Sequence, residues 1–116
     1  MELIVDLSAR QVSMRGAADL KRFAVLATPP PGESTGREAA LEATLAAARA
    51  GRLDPSGGVL VPVDTVRRLA AESVAREGAE LDAAWESGLA DMLAFAATKG
   101  WIADDGSIRA HVEWEA

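Results

Sequence analysis

Polar and apolar residues alternate at the start of the chain. Leu3, Val5 and Leu7 fall on one side of Glu2 to Leu7, which predicts a short strand. Ile4 points the other way, so cover on both sides or an interface is expected there. From Gly16 to Ala27 the apolar positions change spacing. Leu20, Phe23, Ala24 and Ala27 recur at i, i+3, i+4 and i+7, which predicts a helix. A further helix is expected from Thr35 to about Ala50, with Leu41, Leu45 and Ala48 as a thin stripe and Gly51 as its stop. Val59 to Val61 reads as a short strand, closed by Pro62. The next helix covers Thr65 to about Glu77, with Asp64 as N-cap and Val66, Leu69, Ala70 and Val74 inward. The longest element runs from about Ala79 to Lys99. Leu81, Trp85, Leu89, Met92 and Ala96 form its stripe, broadened by Leu93 and Phe95.

Breaker residues punctuate this pattern. Thr28 to Gly36 holds three consecutive prolines and two glycines, and predicts a stiff spacer. Thr35 and Glu38 match the T-x-x-E capping box. Asp54 to Gly58 predicts a turn, and Gly78 ends or kinks a helix. Trp101 to Ala103 and Ile108 to Trp114 flank Asp104-Asp105-Gly106-Ser107, which predicts a C-terminal β-hairpin. On its second arm Ile108, Ala110, Val112 and Trp114 face one way, and Arg109, His111 and Glu113 face the other. The expected fold is therefore α+β: four helices with a short sheet and a C-terminal hairpin. It is read as a single domain over 1–116, with an N-terminal strand-helix arm (1–27), a Pro/Gly linker (28–36) and a helical core with the hairpin (37–116).

From residue 36 onward the order of elements is similar to a winged helix-turn-helix domain, within an overall β-α-α-β-α-α-β-β series. Lys99-Gly100-Trp101-Ile102 and Asp105-Gly106-Ser107-Ile108-Arg109 resemble the end of a recognition helix leading into a wing. That resemblance implies a DNA-binding regulator, with Arg67, Arg68 and Arg109 as its nucleic-acid contacts. Charge argues against the DNA role. The chain carries −6, and residues 1–58, with seven basic and seven acidic side chains, contribute none of it. The helix that would enter the groove carries Glu80, Asp82, Glu86 and Asp91 against Lys99 alone, a distribution that phosphates repel. Nucleic acid is thus not an expected partner.

Candidate chemistry is sparse. With no cysteine there are no disulfides, thiol nucleophiles or thiolate metal sites. His111 and Glu113 could form a base or half a metal site, but Asp104 and Asp105 at the hairpin tip would be about 10–13 Å away. Ser56 and Ser87 lack the G-x-S-x-G frame of an activated serine. Gly32 to Arg37 falls one residue short of a phosphate loop and lacks its Lys-Ser/Thr pair. Asp82 and Glu86 share a helix face without the histidines of a bundle metal site. Neither a catalytic residue, a metal nor a cofactor is assigned. Trp85, Trp101 and Trp114 are core fillers first, although Trp101 and Trp114, with His111 and Glu113, are the best candidates for ligand or partner contact.

These features favour a non-enzymatic, homodimeric protein-interaction or regulatory module. A small enzyme or ligand carrier with an interface site is the further alternative. The N-terminus lacks the pattern of a secretory signal and no apolar run approaches the ~20 residues of a membrane span, so a cytoplasmic protein without membrane contact is expected.

Overall fold

A computed structural model describes residues 1–29, 36–55 and 57–115. Strands β1 (Glu2–Asp6), β2 (Gln11–Arg15) and β3 (Ala24–Thr28) come first, then helix α1 (Arg37–Ala47). Strands β4 (Arg52–Leu53) and β5 (Val59–Val61) follow, then helices α2 (Val63–Ala75) and α3 (Ala83–Thr98), and finally β6 (Ile108–Trp114). The strands form one six-stranded mixed sheet in the order β2-β1-β3-β6-β5-β4. β1 pairs antiparallel with β2 and parallel with β3, while β6 pairs parallel with β3 and antiparallel with β5.

The registers sort the side chains into two faces. Leu3, Val12, Met14, Val25 and Ala27 align with Val112 and Trp114 through the paired rows, and Val59 and Val61 align with Ala110 and Ile108. This face is apolar and joins Leu41 and Leu45 of α1, Val66 and Leu69 of α2, and Trp85, Leu89 and Ala96 of α3 in one core. The opposite face carries Arg15, Glu2, His111, Glu113, Arg109 and Arg52 around Ile4 and Leu26. Burying the first face and solvating the second accounts for the strict alternation along β1 and β6.

Three helices and a six-stranded sheet replace the expected four helices and short sheet. The expected helix at Gly16 to Ala27 is a turn followed by β3. Ala24-Val25-Leu26-Ala27 is an interior parallel strand with an apolar residue at every position, and such a run satisfies helical spacing as well. β2 was readable from Val12 and Met14 alternating with polar residues, yet was not expected. The C-terminal hairpin is also changed. Its turn is present, with Ala103 N donating to Ser107 O and Arg109 N to Trp101 O, but its first arm is a single Ile102–Ile108 bridge. β6 spends its pairing on β3 and β5 instead. With β6 built into a six-stranded mixed sheet through a parallel pairing with β3, the fold is not the helical, small-sheet arrangement of a winged helix.

Helix ends differ in detail. α1 begins at Gly36 in a left-handed conformation without a side-chain cap; Thr35 of the expected capping box lies outside the described residues, as do residues 30–34 and Ser56. Pro62, not Asp64, caps α2, and Asp64 sits in the first turn. Gly78 terminates α2 with φ +76°, where Ala79 N reaches back to Val74 O. Asp82 then caps α3 by accepting from Trp85 N at 2.8 Å, so residues 79–82 are a connection and not a helix turn. At the far end Gly100 takes the left-handed position and Trp101 N donates to Ala96 O. The Asp54–Gly58 turn is as expected, with Gly57 N donating to Asp54 O and Asp54 N to Gly58 O.

Candidate functional site

β6 sends Arg109 and His111 to the solvent side of the sheet, and the turn after α3 folds Trp101 over them. With Phe23, Gly57, Gly58 and Ala110 they line a recess of about 310 Å³. Gly58 is fixed by geometry: a Cβ there would lie 2.6 Å from Ala110 O, and its φ is +83°. Any side chain at that position would push the turn off β6. Arg109 is held by Asp54, whose carboxylate lies 3.7 Å from Nη1. His111 is exposed at the recess.

The remaining sequence candidates lie elsewhere. Glu113 shares the sheet face with His111 but pairs with Arg22 at 3.3 Å. Trp114 faces the core side, half-buried, with the Arg37 guanidinium 4.5 Å from its ring centroid. Arg67 pairs with Glu86 at 2.9 Å and with Asp64 at 3.6 Å, and Arg68 donates to Ala48 O at 3.0 Å. Both arginines are thereby tied to α1 and α3 or to their own helix, and neither stands beside Arg109 in any of these contacts. Asp105 accepts from Ser107 N and from Arg52, and these bonds, the backbone one first, hold its carboxyl below the usual range. Among the described residues no group of three or more acidic or histidine side chains is arranged to hold a metal ion.

A second surface lies around α3. Among the described residues Phe95 and Trp101 are the exposed large hydrophobics, at 57% and 40%, and they contact each other edge-to-face with centroids 6.1 Å apart. Lys99 Nζ lies 5.5 Å from the Phe95 ring centre. Next to Phe95, a groove of about 490 Å³ runs between α3 and the segment before β3, lined by Leu20, Lys21, Gly88, Asp91 and Met92. Gly88 lets Leu20 settle on the helix, since a Cβ there would come within 2.5 Å of Leu20 Cδ1. Trp85 anchors the same segment from inside, its indole Nε1 donating to Ala17 O at 2.7 Å. The i, i+3, i+4, i+7 spacing of Gly88, Asp91, Met92 and Phe95 was a sequence signal for this flank. Met92 belongs both to this flank and to the core stripe.

Comparison with known protein families, with curated proteins and with solved structures finds no match. No described helix is long and apolar enough to cross a membrane.

Proposed function

We propose that the protein is a homodimeric interaction or regulatory module in which the flank of α3 seats a second copy of the chain. The observation that carries this reading is the contact between Phe95 and Trp101. Two exposed large hydrophobics that touch form a patch, and patches of aromatic residues mark interfaces where scattered apolar residues do not.

The flank is self-complementary. In an antiparallel pairing with its two-fold axis between Asp91 and Met92, Phe95 of one copy falls opposite Gly88 of the other. A protruding ring would then meet the groove beside Gly88, where Leu20 packs on the helix and forms one wall. The same operation brings Lys99 of one copy to the end of the other helix that carries Asp82 and Glu86. Lys21 lines the groove beside Asp91 and offsets the approach of the two aspartates across the axis. β1 and β6 are interior strands, so neither offers an edge to a second copy.

Sedimentation equilibrium over about 1–100 µM tests this. A species of twice 12.1 kDa is expected, shifting to monomer in Phe95→Ser with an unchanged circular dichroism spectrum. Loss of an anchor of this kind weakens association by roughly thirtyfold or more. A native protein that stays monomeric throughout that range, or a dimer indifferent to Phe95→Ser, overturns the reading.

A further inference from the structure

We infer that the recess formed by Phe23, Trp101, Arg109 and His111 is a binding site for a small aromatic carboxylate. Its walls and its polar groups select different parts of one ligand. Phe23 and Trp101 offer ring surface for a flat apolar body. Arg109 and His111, two residues apart on β6, project from the same side of the strand and supply adjacent N–H donors. A guanidinium matches the planar fork of a carboxylate better than any other common anion-binding side chain does.

Space and backbone agree with a ligand of this size. The volume of about 310 Å³ stands at the lower end of small-molecule sites, enough for one ring system and a carboxylate but not for a nucleotide. Gly57 and Gly58 contribute backbone alone to this wall, and Gly58 lies close against Ala110 O of β6. Asp54 lies against one terminal nitrogen of Arg109, side chain largely buried, and orients the guanidinium from the flank. Five N–H donors on a guanidinium allow a second carboxylate at another edge. A cationic ligand would meet Arg109 unfavourably, which separates this site from an aromatic cage for ammonium groups.

The inference does not depend on dimerisation and is tested separately. Benzoate is titrated into the ¹⁵N-labelled native protein, with benzamide as the neutral isostere, and the three indole N–H signals are followed. Benzoate is expected to move the Trp101 indole and the Arg109 and His111 amides with a Kd of about 1 mM or tighter, leaving the Trp85 indole in place. Benzamide, and benzoate with Arg109→Gln, are expected to bind about tenfold more weakly or worse. His111→Ala, at an exposed position, keeps the fold intact and is expected to weaken benzoate severalfold. Absence of any shift at the recess with benzoate overturns the inference, as does equal affinity for benzamide or equal affinity in both variants.

Discussion

α2 and α3 lie side by side in sequence and present opposite exteriors. Both bury a stripe in the same core: Thr65, Val66, Leu69 and Ala70 on α2, and Trp85, Leu89 and Ala96 on α3. Outside, α2 shows Asp64, Arg67, Arg68 and Glu72, a charged surface that water serves well. α3 shows Ala83, Ala84, Ala90, Ala94, Phe95 and Ala97, with Glu86 and Asp91 as its exposed charges. An amphipathic helix such as α2 needs only one partner, the core. A helix that is apolar on nearly every side gains from a second one. The pair teaches that burial of the inner stripe says little about what the outer side is for.

The largest expected effects test the inner stripes, where the two helices should behave alike. Leu89→Ala and Leu69→Ala each remove a buried leucine from the same core, at 0% and 3% exposure, and should cost about 2–5 kcal/mol in urea unfolding. Trp85→Phe is the next most informative. It leaves Ala17 O without its donor in a buried setting, and a loss of about 1–3 kcal/mol is expected by the same measurement. On the outer sides the helices should diverge. Phe95→Ser on α3 removes the edge-to-face contact with Trp101, should cost the monomer about 0.5–1.5 kcal/mol, and should weaken association roughly thirtyfold or more. Arg67→Gln on α2 removes an exposed ion pair with Glu86, should cost about 0–1 kcal/mol, and should leave association unaltered.

The smallest effect lies away from both helices. The Arg15 guanidinium holds the Glu2 carboxyl below the usual carboxylate range, chiefly through their hydrogen bond. A lowered folded-state value means that the contribution is present above the unfolded value and is lost as pH falls through the folded one. Denaturant midpoints measured from neutral pH into the acid range should show this as a slightly shallower decline in Glu2→Gln than in the native chain.

Local chemistry was legible in the sequence at several turns, although Pro62 and not the expected Asp64 caps α2. Gly78 and Gly100 stop helices because the backbone turns left-handed there, and Asp54 to Gly58 turns for the same reason. The faces of β6 followed from alternation alone. What could not be read was pairing. Nothing local in Ala24-Val25-Leu26-Ala27 distinguishes a helix from an interior strand, and the decision rests on β1 and β6 lying next to it. With that segment taken as a helix, β6 had no partner but the hairpin arm, and a wing was the consequence. The recess suffered similarly. Trp101, Arg109 and His111 were each picked out, but Phe23, Gly57 and Gly58 join them only through the sheet.

The position of β6 has a consequence for how the chain folds. It lies between β3 and β5, so the strands from the first 28 residues and those around residue 60 do not pair with each other directly. Until β6 inserts, each group offers an open edge, and such edges recruit other chains. Its parallel partner β3 lies more than eighty residues away, with Ala24 opposite His111, a long loop to close before any pairing is gained. Refolding in the slow, millisecond-to-second class of sheet proteins is therefore expected despite the three helices. Chains shortened before Ile108 should aggregate instead of folding in part.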